Sequence, residues 1–219
     1  MGDVIRRTAA AEDIFADVRS THANALAKGG LWHSIAEARL GPVVKLIDRV
    51  EERYQAALKA LAPLTAALDD MDDRADELLS RISDDIWNDV GRPAHDPALA
   101  LLFPGGIGYY TEGPDDEQPD RMELLAELLE ANLHPKLELA RVRRYAAEIR
   151  DAAQEYAGLV ELHGTARRRV ELLGRIRVAV ARSAHVELAG VKRCYKAEGF
   201  GEAEIHTVIP DHGIAAKVG

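Results

Sequence analysis

The 219-residue chain has one cysteine, Cys194. No disulfide can close within it, and no cysteine-based zinc site can be assembled from it. Aromatic residues make up 5% of the sequence, which is sparse for the core of a large single globule. Long apolar runs are lacking too. The longest candidate, residues 97–110, is interrupted by prolines and glycines. It falls short of the ~20 apolar residues that a membrane-spanning helix needs. No apolar stretch follows Arg6 and Arg7, so no secretory leader is expected and a cytoplasmic address is the default.

Several chemistries lack their residues. Di-iron helical bundles need Glu-x-x-His, which sets a carboxylate and an imidazole on one helix face. No glutamate in this chain has a histidine three residues later. A phosphate loop ends in Gly-Lys-Ser/Thr, and the glycine-rich stretch here has no such ending. No nucleophile elbow surrounds Ser34, Ser80, Ser83 or Ser183. Glu204, His206, Asp211 and His212 are residue types that suit zinc, but their spacing fits no established motif. Neither a cofactor nor a metal is implied.

What is present is helical periodicity. Leu40, Val43, Ile47, Val50, Tyr54, Ala57, Leu61, Leu64, Leu68, Met71, Ala75, Leu78 and Ile82 recur at steps of three and four. That is the seam of a long helix lying against other helices. A second seam reads Val142, Tyr145, Ile149, Ala152, Tyr156, Leu159, His163, Ala166, Val170 and Leu173, then drifts to Ile176 and Val180. The spacing predicts an all-α fold: an elongated antiparallel bundle, or coiled-coil hairpin, of two long helices with shorter helices and a Gly/Pro-rich loop.

The expected organisation is one elongated domain in four segments. Residues 1–90 hold an N-terminal helix, capped by Thr8 and ended by Gly29-Gly30, and the first long helix. That helix starts at Ser34 or at Pro42 and continues through a kink at Pro63. Residues 91–119 form a Gly/Pro/aromatic loop, in which Asp96 and Pro97 start a short helix. Residues 120–199 carry a short helix from Arg121 to about Ala131 and a second long helix from Pro135 to Gly199. A break near Gly164, Gly174 or Gly190, or an overhang, is expected there. Residues 200–219 form a tail with an extended core at Ile205, Thr207, Val208 and Ile209, able to pair with a strand at residues 107–111.

Charge is uneven. The net charge is −9. Residues 69–89 carry nine acids and two bases, whereas bases outnumber acids from 141 to 196. In an antiparallel hairpin, Asp84, Asp85 and Asp89 fall near Arg141, Arg143 and Arg144, and Glu51 and Glu52 near Arg175 and Arg177. Asp69, Asp70, Asp72 and Asp73, and the Arg167-Arg168-Arg169 triplet, stay unmatched in that register. They are either solvated faces or contacts between neighbouring molecules.

The best candidate for recognition is the loop around Phe103, Ile107, Tyr109 and Tyr110. It holds aromatics among glycines, and exposed loop aromatics suit partner contacts. The alternative is that it folds back and closes the end of the bundle. The leading functional expectation is a non-enzymatic structural, scaffold or adaptor protein that assembles with itself, as a homodimer or larger, and with another protein. A second reading is a membrane-surface module of the helical-dimer type, disfavoured by the net acidity. A third is a ligand-binding or enzymatic bundle with a pocket near the glycine-rich loop. Nucleic-acid binding is disfavoured by the overall charge.

Overall fold

A computed structural model describes residues 4–212. Seven helices and no strand are found among these residues, in the order α1 (Ala11–Lys28), α2 (Gly30–Asp89), α3 (Pro97–Leu102), α4 (Gly108–Thr111), α5 (Gln118–Glu130), α6 (Leu139–Ala197) and α7 (Glu202–Ile205). The two long helices, α2 and α6, pack against each other. Their 60 and 59 residues match in length. The difference in length behind the expected overhang is therefore absent, because α6 begins four residues after Pro135 and α2 begins at Gly30.

The boundaries follow from local chemistry. Gly29 (φ +71°) and Gly30 (φ +55°) both take the left-handed backbone, which only glycine adopts at little cost. They turn the chain from α1 into α2 with one intervening residue, so α2 starts before Ser34. The Ser34 hydroxyl instead donates back to the Gly30 carbonyl at 3.1 Å. Thr8 is not the cap of α1; Ala10 holds that place without a side-chain bond. Glu12 and Asp13 occupy the first turn, where the helix dipole favours acids.

Helix α2 runs through Pro42 and Pro63. Each proline removes the amide that would serve the carbonyl four residues earlier. Ala38, Pro42, Lys59 and Pro63 are all exposed, so water can serve those carbonyls instead. Helix α6 passes Gly164, Gly174 and Gly190 without a break, and an isolated glycine costs only ~1 kcal/mol in a helix. α5 starts at Gln118 rather than Arg121, with Pro119 in its first turn, where a missing amide is harmless. The extended tail is corrected: Ile205 ends α7, and Val208 and Ile209 are buried in turns. Residues 107–111, the proposed partner strand, form α4 and its cap. Residues 213–219 of the expected tail lie outside the described residues.

The sequence reading takes the chain as one elongated domain. The described chain packs as two compact units, and each long helix contributes to both. The first unit is Met1–Leu58 with Arg169–Gly219. Its core joins Ile14, Phe15, Val18, Leu40, Ile47, Ala184, Leu188, Val191 and Tyr195, covered by Ile205, Val208 and Ile209. Antiparallel pairing of α2 and α6 here is fixed by Glu51 with Arg177, by Arg39 with Glu187 at 3.0 Å, and by the Tyr195 hydroxyl donating to the Trp32 carbonyl at 2.8 Å. Trp32 also stacks on Phe200.

The second unit is Lys59–Arg168. Its core joins Leu68, Met71, Leu79, Ile82 and Ile86 of α2 to Met122, Leu125 and Leu129 of α5 and to Val142, Tyr145, Ile149 and Tyr156 of α6. Here Asp89 pairs with Arg141, Arg81 with Glu148 at 2.7 Å, and Arg74 with Glu155 at 2.9 Å. Asp85 accepts from the Tyr145 hydroxyl at 3.0 Å. Of the expected acid–base groups, one pair of each forms, Asp89 with Arg141 and Glu51 with Arg177; Asp85 pairs with Tyr145 instead, and Asp84 with none of the three arginines.

Candidate functional site

The second unit is strongly acidic. Residues 59–168 carry 23 acids and 12 bases, a net −11, whereas the remaining residues carry 14 acids and 16 bases, a net +2. In this acidic unit the chain between α2 and α4 builds a cleft of about 420 Å³. One wall is the last turns of α2, with Ser83, Asp84 and Trp87. The other is the loop and α3, with Pro93, His95, Asp96, Leu99, Phe103 and Ile107.

Asp96 organises the loop wall. Its Oδ1 accepts from the amides of Ala98 and Leu99 at 2.8 and 3.1 Å, and its Oδ2 meets His134 Nε2 at 3.0 Å. The amides, then the His134 contact, hold its carboxyl below the usual carboxylate range. It caps α3 with Pro97 in the first turn, as the sequence predicts. Behind it, His134 Nδ1 accepts from the Lys136 amide at 3.1 Å, which leaves Nε2 as the protonated nitrogen facing Asp96.

Tyr110 fastens the other end of the loop. It is fully buried, and its hydroxyl donates to the Leu102 carbonyl at 2.7 Å. Burial pushes the phenol up to about 12. Phe103 meets its ring edge-on at 6.1 Å and Tyr109 at 5.0 Å. The sequence-predicted loop residues therefore divide. Tyr110 is a core residue and is corrected as a partner contact, because nothing outside the protein can reach it. Phe103 and Ile107 are half-buried, pack on the core and line the cleft. Tyr109 is exposed, with the Arg121 guanidinium 5.6 Å from its ring centre.

The charged candidates divide as well. Asp69, Asp70 and Asp73 are exposed on α2, whereas Asp72 is half-buried and accepts from the Tyr156 hydroxyl at 2.8 Å. Burial first, and then that bond, raise the Tyr156 phenol above its ordinary value. Arg167, Arg168 and Arg169 are exposed, and Arg168 donates to Thr165 at 3.0 Å. Of the tail residues, His212 meets Asp17 at 2.7 Å, and Glu204 accepts from the Gly201 amide at 2.9 Å. Among the described residues no group of three or more His, Cys, Asp or Glu converges as a metal site would.

Two features escape the sequence reading. The first is Trp87. It lies out of phase with Ile82, Ile86 and Val90 and is 45% exposed. An indole off the seam, three residues after Asp84, is the signal that marks this wall. The second is a row on α6. Leu173 and Val180 are buried, but Leu172, Ile176, Ala179 and Val186 are exposed on the flank beside them. The apparent drift of the second seam at Ile176 is in fact two apolar faces. Ile176 belongs to the outer one.

No protein-family model, curated protein or solved structure matches this chain. No helix among the described residues is long and apolar enough to cross a membrane.

Proposed function

We propose that the chain is a non-enzymatic, cytoplasmic helical scaffold or adaptor that assembles with copies of itself. The observation that carries this reading is the outer row of α6. Leu172, Ile176, Ala179 and Val186 repeat at steps of four, three and seven, as coiled-coil positions do. Leu172 is 59% exposed and Val186 49%, and a row of this kind marks an interaction surface.

Charge favours a contact of this stretch of α6 with an acidic surface over a contact with its own kind. The α6 stretch from Arg169 to Ala197 carries seven bases and two acids. Arg169, Arg175 and Arg182 are exposed along it. Two such rows face to face repel. The acidic second unit of another copy, with Asp69, Asp70 and Asp73 exposed, attracts them. Made reciprocally, such a contact closes a dimer; made in one direction, it repeats into rings or open chains. The single cysteine, which needs no oxidising compartment, supports the cytoplasmic assignment.

Multi-angle light scattering tests the reading. A mass well above 24.0 kDa is expected at low salt, falling as salt screens the contact. Ile176→Asp is expected to give a monomer with unchanged far-UV circular dichroism. A strict monomer at every salt concentration overturns the proposal.

A further inference from the structure

We infer that the cleft between α2 and α3 holds an arginine side chain of a partner polypeptide. Its volume, about 420 Å³, lies in the range of ligand clefts, ~300–1,000 Å³. Trp87, Leu99, Phe103 and Ile107 give it apolar walls. Asp84 and Asp96 give it negative charge; no lysine or arginine lines it, although His95 does and Arg92 stands against the Trp87 ring beside it. Asp96 is engaged by the α3 amides and His134. Asp84 is exposed, and its carboxylate has no hydrogen-bond or ion-pair partner among the described residues.

An arginine satisfies both halves of this lining. Its methylene stem covers apolar wall while its charged head reaches a carboxylate. The planar guanidinium also stacks on an aromatic face, which a compact ammonium does less well. A guanidinium already lies against the same ring. The Arg92 guanidinium, steered by Asn88 Oδ1 at 2.7 Å, stands 5.6 Å from the Trp87 ring centre. The net charge of −11 on the surrounding unit draws cations toward the cleft and repels acidic ligands. This inference does not depend on self-assembly, since every group it uses belongs to one unit of one copy.

The test uses the full chain and two probes of nearly identical shape, acetyl-arginine amide and its neutral isostere acetyl-citrulline amide. The reporter is the Trp87 indole N–H resonance, assigned by its persistence in Trp32→Phe. Arginine is expected to shift it saturably in the millimolar range, and citrulline to leave it unmoved. Asp84→Asn, at an exposed helical position, is expected to weaken the arginine response about fivefold with unchanged circular dichroism. Equal responses to the two probes, no saturable shift with arginine, or an undiminished response in Asp84→Asn would each overturn the inference.

Discussion

Tyr110 offers the sharpest test of how the loop is held. Its ring is fully buried against Phe103 and the core of the second unit. Its hydroxyl supplies the Leu102 carbonyl, which belongs to another buried residue. Tyr110→Phe keeps the ring and strips that carbonyl of its donor. An orphaned buried acceptor costs ~1–3 kcal/mol, so a loss of about 1–2 kcal/mol is expected. Tyr110→Ala also opens a cavity of aromatic size, for which about 3–5 kcal/mol is expected. Tyr109→Ala is the control: that ring is exposed and its removal should cost less than about 1 kcal/mol. Urea unfolding in a Trp32→Phe background, where Trp87 is the only remaining tryptophan, reports the unit concerned. If Tyr110→Ala and Tyr109→Ala unfold at the same urea concentration, the loop is not anchored by burial and the reasoning fails. The phenol adds a second reading. Burial raises its ionisation from 10.0 to about 12. The unfolded chain therefore loses this proton first, and the associated stability is complete below pH 10 and lost as pH rises toward 12. Tyr110→Phe should remove that part of the alkaline loss.

Other expectations are equally direct. Leu79→Ala, at a fully buried α2 position, should destabilise the second unit by about 2–5 kcal/mol in the same urea assay. Pro63→Ala should stabilise that unit by about 1–3 kcal/mol, because it restores a backbone bond inside α2 and removes the ring clash; a lower urea midpoint would count against the account of this proline. Glu202 is held down to about 2, from 4.5, by Lys192, Lys196 and His206. Its contribution is complete above pH 4.5 and lost as pH falls toward 2. Glu202→Gln should therefore flatten the acid loss of the first unit, followed by Trp32 fluorescence in a Trp87→Phe background.

The helical seams were legible because burial and periodicity coincide. Ile47, Leu68, Met71, Ala75, Ile82, Tyr145, Ile149 and Tyr156 are all read from spacing and all buried. Termini were less legible, because the strongest local signals competed with packing. Pro42 reads as a start or a bend, and α2 runs through it; the continuity read across Pro63 is present. Ser34 and Glu37 read as a capping box, yet two left-handed glycines had already opened the helix. The tail reads as a strand because Ile205, Val208 and Ile209 are β-branched. Their burial against the first core uses the same side chains in a helix and turns. Intrinsic preference is a weak prior that tertiary packing overrides.

The site was half legible for a related reason. Composition locates an aromatic loop but not the direction of each ring. Tyr109 and Tyr110 are neighbours in sequence, and one faces solvent while the other fills the core. Only the geometry of α4 separates them. Trp87 fell outside the reading because it sits at the end of a regular helix, where off-phase residues look like ordinary surface, and Asp84, read as a partner of the α6 arginines, pairs with none of them. The charge asymmetry was visible as two runs, but its meaning needed the fold. The acids of residues 69–89 and those of residues 112–138 are far apart in sequence and belong to the same compact unit. That convergence turns a charge run, which alone is only a solvated face, into an acidic surface bearing a cleft with an exposed indole. Such a surface attracts a cationic partner and repels an anionic one.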